Sequence, residues 1–312
     1  MSGVAVRTLP LPVPGPHQVL VRVRAAALNF PDLLMTQGRY QFKPEMPFVP
    51  GLEAAGEVVS VGDGVTHVRP GDAVVAHARC GAIAECMLAA ADEVRPMPAG
   101  LDFAAAAAFH AAAITAYVAL VRRADLQPGE TLLVHGASGG VGMATVQLGR
   151  HLGARVIATG RSEDKLATVR AHGAHETINL ADDLRERVME LTGGRGVDVV
   201  MDAVGGDVFD ASLRCLGWGG RLLVVGFVGG RIPEVKANYI LIKNLSIIGV
   251  RAGEYGRRDP ARGAENVRAI DRLASAGVFR PHIGVRLPLD RAAEGLAMLA
   301  RGSVTGKVVI EP

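Results

Sequence analysis

The stretch Thr131-Leu-Leu-Val-His-Gly-Ala-Ser-Gly-Gly-Val-Gly142 carries a short apolar run straight into a glycine-rich turn and then into helix-forming sequence. Gly136, Gly139 and Gly142 stand in the order G-x-x-G-x-x-G. Without Cβ atoms the chain can turn tightly, let a pyrophosphate approach the backbone, and seat the next helix close to the strand. Amides at the helix start then face the phosphates. The pattern points to a dinucleotide-binding turn formed by Gly136, Ser138, Gly139, Gly140, Val141 and Gly142. In a chain with 39 glycines the same order also describes a flexible turn, so its surroundings have to decide.

Downstream, the apolar positions Val141, Ala144, Thr145, Leu148 and Leu152 follow helical spacing. Strand candidates then recur at Arg155–Thr159, Glu176–Leu180, Val197–Val204, Arg221–Gly226 and Leu245–Val250, separated by polar or glycine-marked stretches. Continuous apolar runs such as Leu222-Leu-Val-Val225 suit strands covered on both faces. The alternation predicts an α/β fold with a doubly wound parallel sheet of about six strands.

The first third reads differently. Prolines at 10, 12, 14 and 16 precede an alternating run at Val19–Val23, and short segments punctuated by glycine and proline continue to residue 95. Gly56–Gly62 and Pro70–Ala76 join strand sequence to turn chemistry, as in small barrels. Leu101–Leu120 is expected to be a helix joining the two domains. The tail holds a helical stretch at Leu289–Arg301 and a last strand at Lys307–Ile310, expected to fold back onto the first domain. The expected division is therefore 1–112 completed by 280–312, and 113–279.

Composition narrows the function class. The 312 residues are 49% hydrophobic, enough for a sizeable core in two domains. The formal charge of +3 comes from 34 basic and 31 acidic residues spread along the chain, and the Arg122-Arg123 and Arg257-Arg258 pairs read as solvated surface, so no nucleic-acid partner is expected. The alanine run Ala104–Ala108 is read as too short to span a bilayer, and no signal-peptide pattern opens the chain. Three cysteines, Cys80, Cys86 and Cys215, have no framework spacing and are expected to be reduced thiols in the cytoplasm.

Several ordered segments resemble the medium-chain dehydrogenase/reductase superfamily, and within it the zinc-free quinone oxidoreductase branch that includes zeta-crystallin. They are Ala27-Leu-Asn-Phe-Pro-Asp-Leu-Leu34, Pro50-Gly-Leu-Glu-Ala-Ala-Gly-Glu-Val58, Gly81-Ala-Ile-Ala-Glu85, Leu132–Gly142, Thr192–Asp202, Gly220–Phe227 and Leu241-Ile-Lys-Asn244. The resemblance implies a GroES-like barrel completed by the C-terminal tail and a Rossmann cofactor domain. It also implies a start shortened by about twenty residues, leaving an exposed strand edge, and a homodimer pairing across Leu245–Val250.

Against the zinc-dependent relatives the ligand positions differ. Asn29 stands where they have their first cysteine, Leu52 replaces the histidine of Gly-His-Glu, Ala111–Ala113 offer no donor, and the four-cysteine structural loop is absent. His77, Cys80 and Cys86 match no familiar zinc spacing and read as barrel residues. No metal is expected.

At the end of the second strand of the cofactor domain, NAD enzymes usually carry an acid for the ribose 2′-hydroxyl. Here Gly160 and Arg161 take its place, followed by Ser162 and, one helical turn on, Lys165. A guanidinium suits a 2′-phosphate, so the expected cofactor is NADPH. Ser162 as a helix N-cap, with Arg161 and Lys165 as surface charges, accounts for the same residues less completely. Relatives often place a phosphate-contacting tyrosine where this chain has Leu180.

Without metal, the chemistry rests on orientation, because NADPH supplies the hydride and a quinone or enone accepts it when held against the nicotinamide. The resemblance places Asn29 and Thr115 at the nicotinamide end, Val225, Gly226 and Phe227 beside the ring, and Asn244 after the strand that closes the cleft. Tyr40 is the candidate for a hydrogen bond or proton to the substrate oxygen, and packing is its alternative role; Asn29 could equally cap a turn. His110, in His110-Ala-Ala-Ala113, is either an imidazole added to a pocket wall or helix surface. The expected activity is NADPH-dependent reduction of quinones or small α,β-unsaturated carbonyl compounds. The alternatives are a non-catalytic NADPH-binding protein of structural or RNA-binding role, and a zinc alcohol dehydrogenase.

Overall fold

The computed structural model describes residues 3–312. In chain order the first elements are β1 (Gln18–Ala27), α1 (Phe30–Thr36), β2 (Glu53–Val61), β3 (Ala73–His77), β4 (Cys86–Ala90), β5 (Val94–Pro96) and α2 (Phe103–Tyr117). Then follow β6 (Thr131–Val134), α3 (Gly140–His151), β7 (Arg155–Gly160), α4 (Glu163–Ala171), β8 (Glu176–Asn179), α5 (Leu184–Thr192) and β9 (Val197–Asp202). The chain continues through α6 (Gly206–Cys215), β10 (Leu216–Val224), α7 (Ala237–Lys243), β11 (Ser246–Gly249), α8 (Ala252–Arg258) and α9 (Pro260–Ser275), and ends with β12 (Ile283–Pro288), α10 (Ala292–Arg301) and β13 (Lys307–Glu311). It divides into two compact units, residues to Ala111 with Arg280–Pro312, and Ala112–Phe279.

The first unit is a seven-stranded sheet in which six strands follow the order β12-β13-β1-β2-β3-β5 and the seventh, β4, pairs with β1. One long strand organises it. The start of β1, Gln18–Arg22, pairs with β4, and its last residues, Ala26 and Ala27, pair with Ile310 and Val309 of β13. Register shifts in the β1–β2 ladder at Leu20/Val21 and Val23/Ala25 bend the sheet. Val19, Val21, Val23, Ala54, Val74, Met87, Leu296, Val308 and Ile310 close over one apolar core, so the tail is an integral part of this unit.

The second unit is a six-stranded sheet in the order β11-β10-β9-β6-β7-β8, with every pairing parallel. The chain starts at the central β6, steps outward through β7 and β8, and returns to place β9 on the other side of β6. This reversal is the topological switch point at which doubly wound sheets bind ligands, beyond the carboxyl ends of the strands. Leu132, Leu133, Ile157, Val199, Val200 and Leu222 are fully buried, as strands covered on both faces require.

Several boundaries differ from the sequence reading for identifiable reasons. β9 stops at Asp202 instead of Val204 because the Asp202 carboxylate accepts the N–H groups of Val204 at 2.7 Å and Gly205 at 3.0 Å and turns the chain. β10 begins five residues before Arg221, a start hidden by the glycine-rich Gly217–Gly220 segment at a break in register. The joining helix starts at Phe103, where the Asp102 carboxylate accepts the Ala105 N–H at 2.7 Å, and after Tyr117 it widens into a π-helical segment, Val118–Arg123. The whole run Phe103–Arg123 is long and apolar enough to cross a membrane, which corrects the reading of its alanine run as too short. With 61% of its most apolar window buried inside the protein, it is a core helix.

Candidate active site

In the second unit three loops meet at the switch point. The turn after β6 is held to the end of β7 by Ala137 N–H donating to Thr159 O, and a Cβ on Gly136 would lie 3.3 Å from Val204 in the turn after β9. The glycines serve different ends. A Cβ on Gly142 would fall 2.3 Å from Gly136 O and 2.6 Å from the Ala137 Cα, so this residue lets the helix pack on its own entry turn. A Cβ on Gly139 would meet only Gly136 O, at 3.5 Å, leaving space above the helix start. Gly139 is the N-cap of α3 and no side chain caps it, so the amides of Gly140, Val141 and Gly142 point out of the helix end without an intrahelical acceptor. Ser138 is half-buried beside them.

At the end of β7, Gly160 is crowded by Leu166, 3.1 Å from where its Cβ would be. Arg161 is exposed, and Lys165 lies near enough that burial first, and the Arg161 charge second, lower its ammonium below the usual range. Ser162 is the N-cap of α4 by backbone geometry, yet its side chain makes no capping bond. Val225, whose N–H donates to Asp202 O at 2.8 Å, and Gly226 are half-buried, and Phe227 is 37% exposed against Gly205. Burial raises the Asp202 carboxyl against the two N–H groups that hold it down. Asn244 is not part of a strand. It sits at φ 54° beyond α7, a left-handed position that tolerates asparagine well, so backbone conformation explains its identity.

Beneath the glycine turn, His135 bridges Thr159 Oγ1 at 2.8 Å and Ser212 Oγ at 2.7 Å. The Ser212 hydroxyl donates to Val208 O, so it accepts from His135 Nε2–H, while Nδ1 accepts from Thr159. Burial lowers this imidazole to about 3.

In the first unit the residues around Asn29 form a closed polar network. Its amide nitrogen donates to Glu53 Oε1 at 2.8 Å and Ala27 O at 3.3 Å, its Oδ1 accepts from Lys307 Nζ at 2.6 Å, and its backbone N–H donates to Asp32 Oδ2 at 2.8 Å. Glu53 is fully buried. It also accepts from Lys307 Nζ at 2.9 Å and, through Oε2, from the N–H of Ala111. Burial pushes the Asp32 carboxyl up to about 7, against the Asn29 and Gly51 N–H groups and the Lys307 charge, which hold it down. Both Asn29 amide protons are thus spent inside the unit. Tyr40 is half-buried in the segment after α1, and Thr115 is half-buried in α2.

Two further groups join side chains that the sequence treats separately. Lys307 opens the last strand, and its pairing with Glu53 spans 254 residues. His110 is not helix surface: its Nδ1 accepts from Arg95 at 2.7 Å, and its ring lies 3.7 Å from that of His77, which Arg95 also contacts, at 3.1 Å. His77 ends β3, Cys86 opens β4, and Cys80 lies in the loop between them with its thiol pushed up by burial and by Asp32. Among the described residues, no group of three or more His, Cys, Asp or Glu side chains is arranged to hold a metal ion.

These features coincide with known proteins along the whole chain. Residues 15–124 match the alcohol dehydrogenase GroES-like domain and residues 140–271 the zinc-binding dehydrogenase family. A quinone oxidoreductase-like protein 2 homolog of Nematostella vectensis is 40% identical over 300 residues, covering 95% of this chain and 82% of that protein. A probable oxidoreductase from Mycobacterium abscessus superposes with a TM-score of 0.90 at 38% identity, covering 100% of this chain and 95% of the other. The Escherichia coli quinone oxidoreductase complexed with NADPH superposes with a TM-score of 0.89 at 31% identity, covering 98% and 95%. With a GroES-like first unit and a Rossmann second unit, the chain belongs to the quinone oxidoreductase branch of the medium-chain dehydrogenase/reductase superfamily and is an oxidoreductase.

Proposed function

We propose that the protein is a cytoplasmic, zinc-free, NADPH-dependent reductase that passes hydride to a quinone or a small α,β-unsaturated carbonyl compound. The observation that carries this reading is the uncapped start of α3 beside the Arg161–Lys165 cluster. Together they fit a dinucleotide with an extra phosphate: helix amides for the pyrophosphate, and a guanidinium, an ammonium and the uncommitted Ser162 hydroxyl for the 2′-phosphate. NADPH, when bound, supplies the hydride.

The chain's own part is to bind and orient. Gly136, Ser138, Gly139, Gly140, Val141 and Gly142 admit the pyrophosphate, Gly160, Arg161, Ser162 and Lys165 select the phosphorylated ribose, and Val225, Gly226, Phe227 and Asn244 flank the nicotinamide. Asn29 and Thr115 position the reacting end, and Tyr40 is the candidate to pass a proton to the reduced oxygen. The zinc-free reading is supported by Asn29 and Leu52 at ligand positions, and by the absence, among the described residues, of a metal-binding cluster. Three free thiols accord with a reducing compartment. Pairing of a second copy along β11, the end strand of its sheet, is the proposed dimer contact.

The test is the initial rate of NADPH and, separately, NADH oxidation by metal-stripped protein with 1,4-benzoquinone, 9,10-phenanthrenequinone and short enones. NADPH-preferring turnover is expected, with the best acceptor choosing between quinone and enone. Tight NADPH binding without turnover on any acceptor would favour the non-catalytic alternative, and activity restored only by zinc the alcohol dehydrogenase. Intact turnover in Tyr40→Phe removes that residue from the mechanism.

A further inference from the structure

The parallel ladder between β6 and β7 ends at the pair Val134 and Ala158. The next residues along the two strands are His135 and Thr159, and after them stand Gly136 and Gly160, where the glycine turn and the Arg161–Lys165 cluster begin. Backbone contact is weak at this last step, because Ala137 N–H reaches Thr159 O only at 3.4 Å, near the limit for a hydrogen bond. The side chains hold more firmly. His135 Nδ1 accepts the Thr159 hydroxyl proton at 2.8 Å, and the two residues are 1% and 0% exposed, so water does not compete for the bond.

His135 is itself held on two other sides. Its backbone N–H donates to Met201 O of β9 at 3.0 Å, and its Nε2–H donates to Ser212 Oγ of α6 at 2.7 Å. With the ring anchored to β9 and α6, the lone pair at Nδ1 has a fixed place, and Thr159 is drawn to it. On its other side β7 is fastened through Gly160 O, which accepts the Leu180 N–H at 2.8 Å.

These ties bear on a ligand that spans both turns. In the proposed function one cofactor molecule rests its pyrophosphate on the start of α3 and its 2′-phosphate on Arg161, Ser162 and Lys165. The spacing of the two turns then decides whether both ends are met at once, and binding groups are kept to such tolerances by the buried residues that support them. A cofactor without the 2′-phosphate is far less sensitive to it. We propose that His135 is a positioning residue for the phosphorylated cofactor, which sets through Thr159 the spacing between the pyrophosphate turn and the Arg161–Lys165 cluster, and thereby the preference for NADPH over NADH. This inference rests on the proposed assignment of the cofactor residues, all of which lie in the second unit.

The experiment measures dissociation constants for NADPH and for NADH, with melting temperatures, in wild type, His135→Leu, His135→Gln, Thr159→Val and Ser212→Ala. Thr159→Val keeps a branched side chain in the strand and removes the donated proton, which guards against a His135 variant that does not fold. In His135→Leu and Thr159→Val NADPH affinity is expected to fall roughly tenfold, the contribution of about one hydrogen bond, with NADH affinity within about twofold of wild type. His135→Gln, whose amide both accepts from Thr159 and donates to Ser212, is expected to keep most of the preference. Ser212→Ala removes a buried bond of the same histidine on the side away from β7, so it is expected to lower the melting temperature and leave the ratio of the two constants unchanged. An unchanged ratio in folded Thr159→Val, or a ratio that falls as far in Ser212→Ala as in Thr159→Val, overturns the inference and leaves the cofactor assignment standing. Wild-type protein that binds NADH as tightly as NADPH overturns both.

Discussion

The Lys307 ammonium lies 2.6 Å from the Asn29 side-chain oxygen across 278 residues of sequence, and the same ammonium neutralises buried Glu53 at 2.9 Å. Lys307 is 5% exposed and Glu53 fully buried, so neither charge has water to fall back on. Removing one member of such a pair costs about 3–5 kcal/mol, because the other is left uncompensated. Lys307→Met is expected to lower unfolding free energy by that amount in urea titrations, and Lys307→Met with Glu53→Gln to recover part of it. Additive losses would show that the two charges do not support each other.

Arg161→Asp is expected to weaken NADPH by roughly 10- to 100-fold, the value of one or two charge-assisted hydrogen bonds, and NADH by much less. Fluorescence titration with both cofactors checks it. Equal losses would put the 2′-phosphate elsewhere.

The two loop glycines should separate folding from binding. At Gly142 a methyl group would meet Gly136 O at 2.3 Å, so Gly142→Ala is expected to destabilise the second unit by about 1–3 kcal/mol through overpacking. At Gly139 the nearest atom is 3.5 Å away, so Gly139→Val is expected to keep its melting temperature and lose both NADPH and NADH by blocking the space above the helix start. Retained binding in Gly139→Val would contradict the loop assignment.

His135, buried neutral between Thr159 and Ser212 with its pKa lowered to about 3, links stability to pH. The folded pKa lies below the unfolded value of about 6.5, so between the two the unfolded chain binds the extra proton. Its contribution is complete above pH 6.5 and is lost at about 1.4 kcal/mol per pH unit as pH falls toward 3. His77 and His110, lowered by burial first, act in the same direction. Denaturant midpoints between pH 5 and 7.5 should fall on the acid side, with a shallower slope in His135→Gln. An unchanged slope in that variant would mean His135 is protonated in the native state.

What sequence reveals here follows from the range of the interactions. The turn after β6 and the parallel strands are written in local signals, namely missing side chains, apolar runs and punctuation, and their order was legible. Strand ends were less so, because β9 is terminated by the side chain of its own last residue, Asp202, and β10 begins in glycines. The Asn29–Glu53–Lys307 and His77–Arg95–His110 groups were illegible, since each joins residues on separate elements and no spacing encodes the contact. His110 was legible only as an unusual residue in an alanine-rich helix. Asn244 carries two readings at once, since its left-handed cap position favours asparagine for the backbone alone, beside the proposed place at the nicotinamide.

The pairing of β13 with β1 sets an order of assembly. On the ribosome the whole span Ala112–Phe279 is available to fold while the unit that began first still lacks the two strands β12 and β13 and the counter-ion of Glu53. The older part of the chain waits for the youngest. Until Lys307–Glu311 emerge, β1 offers an unpaired backbone rim at Ala26 and Ala27, so the stage most exposed to chaperone capture or faulty pairing is the last one, and nascent chains stopped short of residue 307 should be the aggregation-prone species.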